Sequence, residues 1–371
     1  MWAAGWTPAG VASRSSGRSR IAVHLIVPLL TKVVRLDPLL FFFDPILSVG
    51  YFEDADAYVD GNPEFPDVRA GSHESDLDDF ITGSGADTYF RFRFKYLLPI
   101  GSGRKQILPD YRFDEGLMTE GASGATGWNP LASGRTFVEL RPFYRTQNIE
   151  NDDLDEKQST NGLEFSAFWD NRDYPPNPSR GNAASFKAAR DFGLAGTSAS
   201  WTSFSAEYDH YFDLGEIRGF RQSVLALDAW TAYSPTWDVR PDGSIAHRPP
   251  AFSGATLGGL LRLRAYPSQR FSDKAALSYA AELRMVPNWN FLNRIPLFED
   301  RIGVEWIQLV AFAEAARVAP AYQLGTLHED MHWDVGLGFR AWAKGLVGRI
   351  DVAYSEEGFG VQMMVAQPFQ F

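Results

Sequence analysis

The last thirteen residues, 359–371, alternate between two kinds of side chain and constrain the fold more than any other segment. Every second residue from Phe359 to Phe371 is apolar or aromatic except Gln367, whereas the intervening residues are smaller or more polar. A strand at the rim of a transmembrane β-barrel shows this asymmetry, because its lipid-facing and lumen-facing residues alternate. An amphipathic C-terminal strand of a soluble sheet would alternate in the same way, so this segment alone leaves both structures open.

Composition and charge narrow the class of protein. The chain has 371 residues, a formal net charge of −11 and no cysteine. The missing cysteines exclude a disulfide framework. The negative charge makes nucleic acid an improbable partner, because phosphate binding needs clustered Lys and Arg. No run reaches the roughly 18 continuous apolar residues of a spanning helix, but a barrel strand does not need such a run.

A period of two residues recurs through most of the chain. In residues 89–96, four aromatic side chains alternate with Arg91, Arg93 and Lys95, as expected for a half-buried strand. Such runs are about ten residues long, the length that a tilted strand needs to cross a bilayer. The alternation predicts about twelve strands, at 45–53, 89–96, 136–147, 163–170, 182–191, 201–214, 222–233, 274–285, 305–317, 333–343, 346–354 and 359–371.

The predicted fold is therefore all-β, a transmembrane antiparallel β-barrel over residues 37–371 with acidic loops. Short turns at 343–345 and 356–358 contrast with long polar connections at 54–87, 101–135, 149–160, 235–258 and 287–301. About twelve strands are recognisable, and up to sixteen would exist if the chain were truncated at its N-terminus. In residues 1–36, three arginines precede the apolar run 21–30, which is the order found in an export signal. A first strand and an incomplete start are the alternatives for this segment.

Four further segments carry a family resemblance. They are 170–181 (Asp-Asn-Arg-Asp-Tyr-Pro-Pro-Asn-Pro-Ser-Arg-Gly), 257–266 (Leu-Gly-Gly-Leu-Leu-Arg-Leu-Arg-Ala-Tyr), 280–284 (Ala-Ala-Glu-Leu-Arg) and 312–318 (Phe-Ala-Glu-Ala-Ala-Arg-Val). In this order, and with the terminal aromatic, they resemble the BamA/TamA-like superfamily of outer-membrane barrels, the bacterial surface antigen family. The resemblance covers about 137–371. Arg-Ala-Tyr replaces the family's Arg-Gly-Phe or Arg-Gly-Tyr, and no polypeptide-transport-associated repeat is recognisable before the barrel.

The resemblance implies roles for particular residues. It implies a strand-end motif, an inward-folded loop and a C-terminal assembly signal. The motif comprises Asp170, Arg172, Asp173 and Gly181, the loop carries Arg264 and Tyr266, and the signal comprises Val365, Phe369 and Phe371. The implied location is the bacterial outer membrane, and the implied function is insertion, assembly or translocation of polypeptide or lipid. The expected partners are outer-membrane lipid, and either unfolded outer-membrane protein clients or a periplasmic protein.

An arginine in a barrel lumen needs carboxylate or water partners, because an unpaired buried guanidinium is costly. Alternation along their strands places Glu282 and Glu314 on inward faces. We therefore expect Arg264 to pair with one of them and to dock the loop against the wall. The alternative is an Arg264 exposed on an extracellular loop. Arg262, on the opposite face, is expected to matter less.

Catalysis is not expected. Residues 328–332 read His-Glu-Asp-Met-His, which on a helix would bind zinc, but the alternating run 333–339 follows at once and leaves no room for that helix. We expect no catalytic residue, metal or cofactor. The alternative function is a passive porin-like channel, favoured if the loop does not fold inward.

Overall fold

The computed structural model describes residues 7–13, 20–28, 32–36, 39–58, 69–106, 109–122, 124–151, 155–194, 200–241 and 245–365. The strands are β1 (Thr7–Ser13), β2 (Arg20–Pro28), β3 (Lys32–Leu36), β4 (Leu39–Ala57), β5 (Ile81–Leu97), β6 (Arg112–Asp114), β7 (Leu117–Glu120), β8 (Arg135–Glu150), β9 (Asp155–Asp170), β10 (Gly181–Asp191), β11 (Trp201–Ile217), β12 (Phe220–Tyr233), β13 (Asp238–Val239), β14 (Ile245–Ala246), β15 (Ala255–Leu257), β16 (Phe271–Asp273), β17 (Ala275–Pro287), β18 (Val304–Ala319), β19 (His332–Ala343), β20 (Leu346–Ser355) and β21 (Gly358–Val365).

Fifteen of these strands form one antiparallel sheet in the order β1-β2-β4-β5-β8-β9-β10-β11-β12-β17-β18-β19-β20-β21, with β3 paired to β4. The remaining strands form three two-stranded sheets, β6–β7, β13–β14 and β15–β16. The first and last strands of the large sheet, β1 and β21, lie beside each other. Hydrogen bonding in the described part of the chain nevertheless starts at β1 and ends at β21, so the two strands approach without a ladder.

This architecture confirms the predicted all-β barrel class. All twelve predicted strands occur, as β4, β5, β8 to β12 and β17 to β21. The sheet also contains β1, β2 and β3, which come from the segment 1–36 that the sequence analysis left unassigned. β2 and β3 both pair with β4, at its two ends.

Alternation along each strand sorts side chains into a lumen-facing and an outward set. In β19, Asp334 and Arg340 are fully buried, whereas Val335 and Leu337 are 45% and 69% exposed. An exposed apolar face of this kind is unfavourable in water and favourable in hydrocarbon. The inward face is therefore the charged one, which gives the barrel a polar lumen.

The connections alternate between the two ends of the barrel. We define the lower mouth as the end at which β5, β9, β11, β17 and β19 finish, and the upper mouth as the other end. The long β12–β17 connection, 234–274, leaves from the upper mouth, and the long β5–β8 connection, 98–134, leaves from the lower mouth. The predicted connection 149–160 is instead mostly strand, since β8 continues to Glu150 and β9 begins at Asp155.

Helices are few and short in the described chain. They are a 3-10 turn at Phe291–Arg294, a π-helical segment at Leu297–Ile302 and one α-helical turn at Leu324–Leu327. None of these described helices has the length and apolar character to cross a bilayer.

Candidate functional site: a loop docked in the lumen

The β12–β17 connection folds back into the barrel through a compact segment, 257–266, here called the docked loop. Gly258 and Gly259 have φ values of 101° and 98°, which residues other than glycine rarely adopt. The amide of Gly259 donates to the carbonyl of Tyr266 at 3.1 Å and closes the loop on itself. Leu257 and Leu263 are buried in the central apolar cluster. The docked loop is thus a packed element of the lumen.

Arg264 at the tip of the docked loop is completely buried and surrounded by carboxylates. Its Nη1 lies 2.9 Å from Glu282 and 3.0 Å from Asp351, and its Nε lies 3.1 Å from Glu314. Its guanidinium also lies 3.5 Å from the ring centroid of Phe312. Such charge-assisted bonds are the strong ones, and removal of one partner leaves an uncompensated buried charge.

The backbone of the docked loop is held as firmly as its side chain. Glu314 Oε2 accepts from the amide of Arg264 at 2.8 Å, and Asp334 Oδ2 accepts from the amide of Ala265 at 2.8 Å. On the other side, Gln362 Nε2 donates to the carbonyl of Arg264 at 3.1 Å. A Cβ atom at Gly360 would lie 2.6 Å from that carbonyl oxygen. The docked loop therefore rests directly on β21, the last strand of the sheet.

Two more side chains of the docked loop contact the wall. Tyr266 is fully buried, and its hydroxyl donates to the carbonyl of Trp333 at 3.2 Å. Arg262 Nη2 donates to Glu207 at 2.8 Å, and its guanidinium lies 4.1 Å from the Trp230 ring centroid. Arg262, expected to matter less than Arg264, thus ties the loop to β11 and β12, next to the strands that bind Arg264.

Glu282 connects the docked loop to the wall. Besides Arg264, it accepts from Arg284 Nε at 2.7 Å and from Arg340 Nη2 at 2.8 Å. These residues are all fully buried. One carboxylate therefore serves three guanidinium groups, and its loss would leave all of them short of negative charge.

The predicted strand-end motif forms a compact turn at the lower mouth. Asp170 accepts from Arg172 Nε at 2.8 Å and from Arg135 Nη2 at 2.8 Å, and all three residues are buried. Asp170 thereby joins the ends of β8 and β9 through charge-assisted bonds.

The second half of the motif shapes the turn itself. Asp173 Oδ1 accepts from the amides of Tyr174 at 2.8 Å and Ser179 at 3.0 Å. Gly181 has a φ of 96°, and a Cβ atom there would lie 2.1 Å from the carbonyl oxygen of Asn171. Position 181 therefore requires glycine on both conformational and steric grounds. The structure brings the motif residues together, but far from the docked loop in sequence and at the other mouth.

The predicted assembly signal lies mostly beyond the described residues. β21 ends at Val365, whose side chain is not described, and Phe369 and Phe371 lie outside the described chain. Within β21, Phe359 is 65% exposed and Met363 is 41% exposed, whereas Gly360 and Gln362 face the lumen. Over residues 359–363 the outward register of the strand therefore matches the expected one.

Among the contacts of Arg264 and Ala265, sequence reasoning missed Asp334, Asp351, Gly360 and Gln362. Asp351 alternates with the apolar Ile350 and Val352 in the predicted strand 346–354, so a search for every inward carboxylate on the last strands would have found it. The contacts of Gly360 and Gln362 depend on how closely the loop approaches β21. Periodicity carries no signal for that distance.

Histidines gather where the β4–β5 connection meets β19. The ring centroids of His73 and His332 are 4.4 Å apart, and His332 Nε2 lies 3.2 Å from the carbonyl oxygen of His73. Burial, together with the neighbouring His332 and Arg317, lowers the pKa of His73 to about 4. His73 is therefore neutral at physiological pH.

Three buried carboxylates lie together at one place in the described part of the chain. Carboxylate oxygens of Glu207, Asp209 and Asp228 lie within 4.8 Å of one another in the lumen wall.

The residues of the His-Glu-x-x-His sequence are not arranged as they would be on a zinc-binding helix. His328 follows a one-turn helix, whereas His332 is the first residue of β19, so the two do not share a helix face.

Several solved structures are similar to this chain at low sequence identity. The comparison with curated protein sequences finds no match. Similar solved structures include BamA from Haemophilus ducreyi lacking POTRA domains 1–3, with 11% identity, a TM-score of 0.46 and coverage of 97% of this chain and 70% of that one. Wzi of Escherichia coli, an outer-membrane protein involved in group 1 capsule assembly, has 9% identity, a TM-score of 0.28 and coverage of 99% and 85%. OccAB4 of Acinetobacter baumannii has 9% identity, a TM-score of 0.26 and coverage of 97% and 95%.

The sequence itself matches the Omp85 superfamily domain over residues 81–370. This match includes every strand of the large sheet from β5 to β21 and the whole docked loop. It confirms the resemblance predicted from the ordered motifs. The chain belongs to the Omp85 superfamily.

Proposed function

We propose that this protein resides in the bacterial outer membrane and promotes insertion, assembly or translocation of polypeptide or lipid there, without enzymatic activity. The observation that carries the proposal is the attachment of the docked loop to β21 through Gln362 and Gly360. Because the same loop is anchored by Arg264 in the lumen wall, it couples the interior of the barrel to the position of its last strand.

The seam between β1 and β21 supports this function. The two strands lie side by side without a ladder in the described chain, so each has an edge that can accept another strand. Unpaired strand edges are ready templates for strand addition. An unfolded outer-membrane protein could therefore pair with β21 while the docked loop keeps that strand in place. A periplasmic protein that delivers such clients is the expected soluble partner.

The outward face supports a membrane location. Exposed apolar side chains, including Leu337, Phe359 and Val335, cover the outside of the last strands. Lipid is the partner that stabilises such a surface. The Omp85 superfamily and the barrel fold point to the same location.

Reconstitution tests the proposed function. The full chain would be placed in liposomes and a urea-unfolded outer-membrane barrel added as the client. We expect the client to reach its protease-protected, heat-modifiable form faster than in protein-free liposomes. Equal folding rates with and without the protein would overturn the proposal.

A porin-like channel is the alternative function. It requires an open lumen, whereas the docked loop fills part of it. Liposome swelling with small sugars measures this directly. Rapid swelling without any acceleration of client folding would favour the porin.

A further inference from the structure

The β5–β8 connection contains a small hairpin at the lower mouth. Its strands are β6 and β7, and its turn consists of Glu115 and Gly116, which have φ values of 44° and 75°. Asp110 and Gly121 flank it side by side, since a Cβ atom at Gly121 would lie 2.0 Å from the carbonyl oxygen of Asp110. The hairpin therefore projects from the β5–β8 connection as a separate unit whose two ends lie side by side.

The hairpin crosses the mouth of the barrel. It arises between β5 and β8, and five strands of the sheet separate β8 from β18. Its tip nevertheless reaches β18, where Trp306 Nε1 donates to the carbonyl of Gly116 at 2.9 Å. Glu115 also forms an ion pair with Arg221 at the start of β12. The hairpin thus spans from one wall to the opposite one.

Apolar packing holds the hairpin in this position. The lower end of the lumen is lined by buried side chains from the strand-end turn, β17, β18, β19 and β20. Hairpin residues and their flank pack against them. The lining residues are Tyr174, Val286, Trp306, Trp342 and Val347, and the packed residues are Tyr111, Leu117 and Met118. The rings of Trp306 and Trp342 stack with centroids 5.7 Å apart, and Tyr111 meets Tyr174 edge-on at 4.8 Å. Such aromatic contacts add to the burial itself.

The hairpin and the docked loop hold different parts of the same strands. In β18 the hairpin contacts Trp306, whereas the docked loop contacts Glu314, which is eight residues further along. Eight residues correspond to about 26 Å of strand. In β19 the corresponding residues are Trp342, in the cluster that packs against the hairpin, and Asp334, which binds the docked loop.

We propose that the β6–β7 hairpin is a second plug of the lumen, which closes the lower mouth independently of the docked loop. Two plugs in series make the lumen closed whenever either is seated. Passage through the lumen then requires release of both, whereas events at the β1–β21 seam require neither plug to leave. This inference rests on the barrel fold and extends beyond the proposed insertion function.

Planar-bilayer conductance of four proteins tests the proposal. They are the parent, Arg264→Ala, a variant with residues 111–120 replaced by two glycines, and the combination. The adjacency of Asp110 and Gly121 allows this replacement without stretching the rest of the connection. Heat-modifiability verifies that each barrel folds. We expect little conductance from either single variant, and a conductance in the combined variant well above the sum of the two. A folded combined variant that stays closed overturns the proposal, as does a hairpin deletion that alone conducts as much as the combination.

A reversible lock provides a second test that keeps the hairpin intact. The chain has no cysteine, and an ideal Cβ atom at Gly116 lies 2.8 Å from the Glu305 Cβ, which allows a disulfide between Gly116→Cys and Glu305→Cys once the turn moves outward. That Cβ atom would also lie 2.8 Å from the Trp306 ring, and Gly116 has a φ of 75°, so the reduced pair alone must first be shown to conduct no more than the parent. In an Arg264→Ala background, we expect brief openings under reducing conditions and none after oxidation. Identical recordings in the two states would show that hairpin release does not limit conductance.

Discussion

Arg264 makes several of the charged contacts that hold the docked loop in the lumen. Its guanidinium is shared by Glu282, Glu314 and Asp351, all buried. Arg264→Ala leaves these carboxylates short of positive charge, and breaking a buried pair costs about 3–5 kcal/mol. We expect faster protease cleavage within 257–266 and a lower midpoint of heat modification.

Two further variants serve as an intermediate case and as a control for Arg264→Ala. Arg264→Lys keeps the charge but cannot span three carboxylates with one planar fork, so we expect an intermediate effect. Arg240→Ala removes an exposed arginine from the same β12–β17 connection and should leave both readouts unchanged. Equal cleavage of Arg264→Ala and Arg240→Ala would contradict the assigned role of Arg264.

A pair of glycines tests the contact between the docked loop and the last strand. Gly360→Ala in β21 would place a methyl group 2.6 Å from the Arg264 carbonyl oxygen. Gly348→Ala in the neighbouring β20 would meet nothing within 4 Å. We expect only Gly360→Ala to expose the docked loop to protease. If both variants resemble the parent, β21 does not hold the loop as described.

The lowered pKa of His73 predicts that the stability of the segment 69–80 at the upper mouth depends on pH. Its pKa in the folded protein is about 4, below the ordinary value of 6.5. As the pH falls, His73 takes up a proton in the unfolded segment before it does so in the folded one. The contribution of neutral His73 to folding stability is therefore complete above pH 6.5 and is lost as the pH falls towards 4. Hydrogen exchange of residues 69–80 should accelerate over this window. His73→Gln should flatten the dependence, and substitution of the exposed His247 should not.

At the residue scale, the sequence was sufficient to name both ends of the central contact but not its full geometry. Alternation identified Glu282 and Glu314 as inward, and the family resemblance singled out Arg264. The backbone contacts of Asp334 and Gln362 depend on where the docked loop comes to rest. Loop placement is a tertiary property that strand periodicity does not encode.

Strands were more predictable than connections. A transmembrane strand shows its two faces over about ten residues, which gives alternation enough length to be recognised. β6 and β7 have three and four residues, too few for a periodic signal, and they lie in a segment interpreted as a polar connection. The charged start of β9, Asp-Glu-Lys, likewise suggested a loop, although it continues the ladder with β8. Charge indicates exposure there, not the absence of a strand.

The C-terminal strand carries a prediction at the element scale. If outward aromatic residues form the assembly signal, replacing Phe369 and Phe371 with polar residues should lower the amount of folded barrel far more than replacing Gln370. The physical reason is that only the outward residues meet lipid or an assembly partner. Quantifying the heat-modifiable fraction in membranes checks this. Equal losses at both kinds of position would contradict the outward assignment of 369 and 371.

Membrane residence is the prediction for the molecule as a whole. The apolar outer face needs lipid or detergent, so the full chain should fractionate with outer membranes. It should also migrate faster on a detergent gel when unheated than when boiled, because the folded barrel resists unfolding by detergent. A protein recovered soluble without detergent, with one gel mobility, would be incompatible with a membrane barrel.

The central claim is that the docked loop, through β21, supports insertion of other polypeptides at the seam. The most direct measurement is the folding rate of a urea-unfolded outer-membrane barrel in liposomes that contain the parent, Gly360→Ala or Gly348→Ala at equal density. The account predicts that the parent and Gly348→Ala accelerate folding equally and that Gly360→Ala accelerates it much less. Equal acceleration by all three proteins would contradict the coupling, and no acceleration by any of them would contradict the proposed function itself.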